Sequence, residues 1–156
     1  MPSFPNLVLR PFKEGDLAFL CEIQREPEGY KMAAVKPREA EAFLRHWREK
    51  ILPNASGMVR IVEVDGEVAG DILSFEQEGR RVIGYWIGKK YWGRGIMTAT
   101  LKQFVTDHER HRPVSAFVAI TNRGSYRVLE KCGFKQVGEA SLASDHVEEF
   151  RMDLMS

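Results

Sequence analysis

The sequence predicts a mixed α+β domain in which three successive antiparallel strands lead into a strand–helix–strand crossover. Three observations indicate this fold: a hairpin pattern at residues 58–75, a strand with a glycine turn and an amphipathic helix at residues 82–108, and another strand and helix from residue 114. At 156 residues the chain is long enough to bury about two thirds of the surface that its unfolded form exposes. Residues 1–156 are therefore interpreted as a single domain.

The first third of the chain predicts one short strand and two helices. The strand is expected at residues 7–10, and the first helix begins near Asp16 and is expected to end at Pro27 and Gly29. A second helix ends before Pro53. Its apolar residues recur at helical spacing and form one stripe, which consists of Ala40, Phe43, Leu44, Trp47 and Ile51.

An antiparallel meander is predicted next. Strands at residues 58–64 and 67–75 are joined by Asp65-Gly66, a pair that favours a two-residue hairpin turn. A looser turn at residues 76–79 is expected to lead into a third strand.

A glycine turn follows the third strand. Residues 82–87 are rich in β-branched and aromatic side chains, and Gly93 and Gly95 lie between this strand and the next helix. Glycine allows backbone N–H groups to approach a ligand, and the first turn of a helix adds N–H donors and a partial positive charge. The pattern favours a phosphate-binding turn, and a tight turn without a ligand is the alternative. The helix shows a one-sided apolar period at Met97, Leu101, Phe104 and Val105.

The C-terminal part predicts a strand, a helix and a closing hairpin. The strand is expected at residues 114–120, Thr121 or Asn122 can cap the helix, and Gly133 suits its left-handed end. The hairpin is expected to have its strands at residues 134–137 and 146–152 and its turn at residues 138–145.

The composition narrows the classes of function. The net charge of +1, from 23 basic and 22 acidic residues, disfavours binding to nucleic acid or to an anionic membrane. Cys21 and Cys132 lack the spacing of a metal or redox pair and are interpreted as free thiols in a cytoplasmic protein. His108 and His111 are interpreted as complementing a helix C-terminus, and no metal is expected.

Two sequence blocks, residues 86–98 (WIGKKYWGRGIMT) and 122–134 (NRGSYRVLEKCGF), resemble the GNAT superfamily of acetyl-coenzyme A-dependent N-acetyltransferases. Within it, the chain is most similar to the branch that includes the ribosomal-protein N-terminal alanine acetyltransferases. The resemblance implies a mostly antiparallel sheet that splays at one parallel strand pair, flanked by about four helices. It also implies acetyl-coenzyme A as co-substrate and a primary amine as acceptor. Oligomeric state is left open, with a homodimer as the candidate assembly.

The resemblance also assigns the cofactor site. Backbone amides of the turn would bind the diphosphate. The pantetheine arm would lie beside the third strand like an added strand, with its amides meeting the backbone of Ile87 and Lys89. A strand N–H near Trp86 or Ile87 would form the oxyanion hole. The turn departs from the general motif, with Trp92 at a basic or amide position and Met97 at a small one. The implied cofactor residues are Trp86, Ile87, Lys89, Trp92, Gly93, Arg94, Gly95, Ile96, Met97, Thr98 and Asn122.

Ser125 is the candidate proton donor to the departing thiolate. It lies on the inward face of its helix, and in the branch a serine three residues after the asparagine fills this role. A serine bonded only to a helix carbonyl is the alternative. The tyrosine that other members use aligns with Leu129.

The sequence does not identify a general base. The glutamates of the branch align with Val82 and Ser144, and the nearby ionisable residues are interpreted as solvated loop residues: Glu76, Glu78, Asp145 and His146. An enzyme without a strong base favours an amine of low pKa, such as an α-amine.

Two other functions fit parts of the sequence. The absent base and the altered turn favour a sensor or interaction module of the same fold, which binds the acyl-coenzyme A thioester without turnover. A nucleotide-phosphate binder fits poorly, because no Lys-Ser/Thr pair follows the glycines. Phe43 and Trp47 belong to the core by their spacing, although the resemblance also places their helix beside the acceptor site.

Overall fold

The computed structural model describes residues 6–142 and 147–156, which form one seven-stranded sheet with helices on both faces. The strands are β1 (Leu7–Arg10), β2 (Met58–Val64), β3 (Glu67–Gln77), β4 (Arg80–Ile87), β5 (Val114–Ala119), β6 (Lys135–Leu142) and β7 (Glu148–Leu154). The helices are α1 (Asp16–Gln24), α2 (Pro27–Met32), α3 (Ala40–His46), α4 (Ile96–Asp107) and α5 (Arg123–Lys131). A π-helical turn, Trp47–Ile51, continues α3, and a 3-10 turn, Lys89–Tyr91, follows β4.

The strand order β1-β2-β3-β4-β5-β7-β6 contains one parallel pair, β4 with β5. These two strands pair only from Arg81 and Val114 to Ile83 and Ala116. Beyond that point β4 stays paired with β3 as far as Ile87, and β5 stays paired with β7. The sheet therefore splits open on the side of β4 that leads to the glycine turn, which confirms the expected splayed α+β fold.

Both tight turns of the meander have two central residues with positive φ. Asp65 and Gly66 have φ of 51° and 81°, the geometry of the predicted hairpin. Glu78 and Gly79 have φ of 50° and 77° and close an equally short turn. The prediction of a looser turn at residues 76–79 is wrong, because β3 continues to Gln77 and β4 starts at Arg80.

Helix α2 differs from the prediction. Pro27 begins this helix at a position where a missing N–H carries no penalty, and Gly29 lies inside it. A Cβ atom on Gly29 would lie 3.0 Å from the indole of Trp86, so the glycine permits close packing of α2 on β4. The described part of the chain therefore has five α-helices, where about four were expected.

The core has two parts because alternate residues of each strand point to opposite faces. One part packs the sheet against α4 and α5 around Ile72, Ile83 and Phe104. The other packs α1 and α3 against β2 and contains Phe43 and Trp47, which are 2% and 1% exposed. Phe43 and Trp47 therefore belong to the core.

The C-terminal hairpin is longer than predicted. Strand β6 continues through the expected turn to Leu142, with an irregularity between Val137 and Ser141 where Gly138 has φ of 73°. Strand β7 begins at Glu148. Residues 143–146, where part of the turn and the start of the last strand were expected, lie outside the described residues. Neither described range contains a helix long and apolar enough to cross a membrane.

Candidate active site

Two adjoining cavities occupy the split in the sheet. The first, here called the strand cavity, has a volume of about 230 Å³ and lies between the diverging ends of β4 and β5. The second, the loop groove, has a volume of about 490 Å³ and runs from β4 along the glycine turn to α5. They meet at the residues that line both, which are Ala33, Tyr85, Trp86, Asn122 and Ser125.

The glycine turn presents backbone donors to the loop groove. Gly93 and Gly95 have φ of 73° and 74°, in the left-handed region that favours glycine. Gly95 is the N-cap of α4, and the first backbone bond into this helix runs from Ala99 N to Gly95 O at 3.1 Å. The N–H groups of residues 96–98 precede that bond and have no partner within the helix. This end of the groove therefore suits an anionic ligand.

Most of the predicted cofactor residues meet in the loop groove. Lys89 and Arg94 are not part of its lining. The backbone N–H of Lys89 donates to Glu26 Oε1 at 3.0 Å, and the Lys89 ammonium group lies 3.3 Å from Glu28. Arg94 is exposed between the two glycines. The predicted residues that line the groove are Trp86, Ile87, Trp92, Gly93, Gly95, Ile96, Met97, Thr98 and Asn122.

The side chain of Trp92 closes back on β4. Its Nε1 donates to the carbonyl of Ile87 at 3.1 Å. The indole therefore braces the turn against the strand, which gives a physical reason for tryptophan where the general motif has a basic or amide residue.

Two basic residues line the groove that were not predicted from the sequence. Arg127 and Lys131 lie one turn apart on α5 and both line the loop groove. Their spacing of four residues places them on one face of the helix. This spacing is visible in the sequence and could have been used to predict them, as the inward face of the same helix was used for Ser125. They add positive charge along the wall opposite the glycine turn.

Ser125 lies where the two cavities join. Its N–H donates to Asn122 Oδ1 at 3.1 Å, so Asn122 caps α5 as predicted and fixes the first turn of the helix. Its Oγ lies 2.6 Å from the hydroxyl of Tyr85 on β4. The structure therefore brings the predicted proton donor to the cleft and gives it a side-chain partner.

Tyr85 was also missed. Burial raises its pKa to about 12, although the hydrogen bond with Ser125 acts in the opposite direction. Its hydroxyl is therefore protonated at neutral pH. The alternation of Ile83, Tyr85 and Ile87 on one face of β4 was the available signal, but only the position of α5 shows that this hydroxyl meets Ser125.

One carboxylate lines the strand cavity among the described residues. Glu149 of β7, opposite Ala119 of β5, contributes to a lining that is otherwise mostly apolar. Glu76 and Glu78 lie at the far end of β4, outside both linings, and Val82 is buried. Three further positions were considered in the search for a general base: Ser144, Asp145 and His146. They lie outside the described residues.

Comparison with known proteins identifies the family. The GNAT acetyltransferase domain matches residues 6–135. The chain belongs to the GNAT acetyltransferases. The putative ribosomal N-acetyltransferase YdaF of Bacillus subtilis is 32% identical over 153 residues, which cover 86% of this chain and 81% of that protein. The chain is therefore an acetyl-coenzyme A-dependent N-acetyltransferase, as the sequence resemblance implied.

Solved structures share the GNAT fold at lower identity. An acetyltransferase of Bacillus anthracis superimposes with a TM-score of 0.79 at 20% identity and covers 98% of this chain and 96% of its own. The spermidine N-acetyltransferase of Vibrio cholerae in complex with CoA and spermine gives 0.79 at 18% identity, covering 96% and 95%. The aminoglycoside acetyltransferase AAC(6')-Ib with coenzyme A gives 0.76 at 18%, covering 95% of each chain.

Proposed function

We propose that this GNAT enzyme transfers the acetyl group of acetyl-coenzyme A directly to a primary amine, an N-terminal α-amine or a small-molecule amine, within a ternary complex. The position of Ser125 is the main support for this proposal. The predicted proton donor Ser125 lies where a groove lined by backbone donors and basic residues joins a separate cavity that contains a carboxylate. This arrangement gives the anionic cofactor and the cationic acceptor different entrances to one reaction point.

Charge and strand geometry support the proposed position of the cofactor. Its diphosphate lies against the N–H groups that follow Gly95 and faces Arg127 and Lys131. The pantetheine arm occupies the split between β4 and β5, where each strand has an edge that pairs with no other strand of the described chain. This path brings the thioester toward Ser125, and a strand N–H near Trp86 or Ile87 binds the carbonyl oxygen as negative charge develops.

The chemical step needs a neutral amine and a protonated leaving group. The amine nitrogen forms a C–N bond with the thioester carbon, and the C–S bond breaks as the Ser125 hydroxyl gives its proton to sulphur. Glu149 lines the acceptor end and accepts the proton that the amine loses. A carboxylate there also attracts the amine in its cationic form before attack.

Two features support an amine of low pKa as the acceptor. Ala33, Ala34 and Val35 form an apolar wall of the strand cavity, which offers a cationic side chain little solvation. An α-amine of pKa about 7.7 is roughly one third neutral at pH near 7.4, whereas a lysine side chain of pKa about 10.4 is almost wholly charged. The similar proteins are named as a ribosomal N-acetyltransferase, a spermidine N-acetyltransferase and an aminoglycoside acetyltransferase. These names cover different acceptors, so the acceptor of this chain has to be identified by direct assay.

A second function, binding of acyl-coenzyme A without turnover, is favoured by one specific observation. The Ile87 carbonyl accepts from Trp92 and the Lys89 N–H donates to Glu26, so backbone groups expected to meet pantetheine already have partners. A sensor would bind the thioester and release no thiol.

The test is release of free thiol from acetyl-coenzyme A over a set of amines, with products identified by mass spectrometry. Peptides with free N-termini, peptides blocked at the N-terminus but carrying lysine, free amino acids and spermidine form the set. We expect thiol release with α-amines and little with lysine side chains. Binding without thiol release for every amine would favour the sensor, and faster acetylation of lysine would remove the α-amine preference.

A further inference from the structure

A hydrogen bond crosses the opening between β4 and α5. Tyr85 Oη lies 2.6 Å from Ser125 Oγ and 3.5 Å from the Ser125 carbonyl oxygen. Tyr85 follows the last residue of β4 that pairs with β5, Ile83, by two positions. Its ring therefore reaches across the opening from one half of the split sheet, while Ser125 reaches from the other half.

The two hydroxyl groups together hold one proton more than their shared bond uses. Each hydroxyl can donate once and accept through its lone pairs. Whichever oxygen donates across the 2.6 Å bond, one O–H remains for a third partner. Both side chains line the strand cavity and the loop groove, so that partner can be a group in the cleft.

We propose that Tyr85 is the positioning residue of the proton donor: it donates to Ser125 Oγ and so directs the Ser125 hydroxyl proton toward the thioester sulphur. This inference rests on the proposed acetyl transfer. As the C–S bond breaks, the Ser125 proton moves to sulphur and forms the thiol. The Tyr85 proton moves to the Ser125 oxygen. Tyr85 then regains a proton from water, and the proton that the amine loses passes to Glu149 and from there to solvent.

The chemistry explains why a second hydroxyl is useful. A serine that gives up its proton alone would become an alkoxide, a strong base that is costly to form in a partly buried site. A tyrosine that replaces the proton keeps the serine neutral and places the negative charge on a phenolate, which is the weaker base. Tyr85 is protonated at neutral pH before the reaction, as the relay requires, because its pKa of about 12 lies far above neutral pH.

A purely structural bond between Tyr85 and Ser125 would act differently. It would hold α5 against β4, so its loss would lower stability and weaken the binding of acetyl-coenzyme A. A positioning role affects a step after binding. Turnover and affinity therefore separate the two roles.

The experiment compares Tyr85→Phe, Ser125→Ala and the double variant with the unchanged enzyme. Tyr126→Phe is the matched control. Tyr126 lies on α5 beside Ser125 but outside both cavity linings, and within the described residues its hydroxyl donates one hydrogen bond, to Gln136 Oε1 at 2.8 Å. For each protein we would measure kcat, the KM and Kd of acetyl-coenzyme A, and the thermal midpoint.

We expect Tyr85→Phe to lower kcat by about tenfold to a hundredfold, with KM and Kd within about twofold. The loss is at or below the lower end of a full general-acid contribution because Ser125 remains in place. The double variant should be no slower than Ser125→Ala, because both changes break one relay. The proposal is overturned if Tyr85→Phe keeps most of kcat, if the two losses multiply, if the loss lies in Kd, or if Ser125→Ala is much milder than Tyr85→Phe. Absence of turnover in the unchanged enzyme would instead overturn the proposed function.

Discussion

At the residue scale, the chemistry is concentrated in a few polar side chains at the edge of an apolar cavity. Ser125, Tyr85 and Asn122 are connected by hydrogen bonds of 2.6 Å and 3.1 Å. Glu149 lines the same cavity from β7. In the proposed mechanism, the groups that donate and accept the two protons therefore lie on different elements around one opening, and each can be changed separately.

Replacing Glu149 by glutamine should impair the use of the amine and leave the cofactor unaffected. The glutamine keeps the shape but neither attracts an ammonium group nor accepts a proton. We expect kcat/KM for the amine to fall by about tenfold or more, with the Kd of acetyl-coenzyme A unchanged. Steady-state kinetics with Glu148→Gln as control measure this, because Glu148 is the exposed neighbour on the same strand. An equal effect of both substitutions would contradict the role.

Asp71 should make the fold less stable as pH rises. Burial raises its pKa to about 7, although a hydrogen bond with Gln24 opposes this, and its Oδ1 has no partner in the described part of the chain. In the unfolded chain the carboxyl ionises near pH 4, so the cost of burying the charge develops between about pH 4 and 7 and stays constant above. The cost is of order 4 kcal/mol from the difference in pKa.

Asp71→Asn should therefore raise the free energy of unfolding at pH 8 and change it little at pH 4. Urea unfolding at both pH values measures the difference, with Asp107→Asn as the control at an exposed position. A gain at pH 4 as large as that at pH 8 would show that burial of the ionised form is not the cause.

At the scale of elements, the turn between β4 and α4 and one face of α5 lie opposite each other across the loop groove. The turn supplies backbone donors through Gly93 and Gly95, and α5 supplies Arg127 and Lys131. The glycine turn follows β4 and α5 follows β5, and these two strands pair only as far as Ile83 and Ala116. Separate tests of the backbone donors and of the side-chain charges are therefore available.

Gly93→Ala should weaken the binding of acetyl-coenzyme A by about tenfold or more. Gly93 has φ of +73° and no atom within 4 Å of an added Cβ, so the substitution strains only the backbone and moves the N–H groups that line the groove. Gly66→Ala is the control, with φ of +81° and equally open space in the β2–β3 turn. Both should lose about 1 kcal/mol of stability. Calorimetry that finds equal affinities would show that the turn does not hold the cofactor.

Removal of charge from α5 should weaken cofactor binding in a salt-dependent way. We expect Arg127→Gln and Lys131→Gln each to raise the Kd of acetyl-coenzyme A by about two- to fivefold at low salt, and less at high salt, because exposed charges are screened. Arg123→Gln is the control on the same helix outside the groove lining. A salt-independent loss would point to a role other than charge.

At the scale of the whole molecule, the sequence predicted the strands, the hairpin at Asp65-Gly66 and the cap at Asn122, because each has a local signal. The splayed sheet was expected from the family resemblance alone. Helix α2 was not predicted. Proline can either end or begin a helix, and only the packing of the folded chain determines which of the two Pro27 does. Tyr85 and Glu149 could not be assigned, since the meeting of β4, β7 and α5 depends on contacts distant in sequence. Ser125 could be placed, because its helix face and the family resemblance agree.

The most direct test is a crystal structure of the protein with coenzyme A. We predict that the diphosphate lies against the N–H groups that follow Gly95, that the pantetheine arm lies between β4 and β5, and that the sulphur lies within hydrogen-bond distance of Ser125 Oγ. A coenzyme A molecule whose sulphur lies beyond the reach of Ser125, or whose diphosphate lies away from the glycine turn, would contradict this prediction.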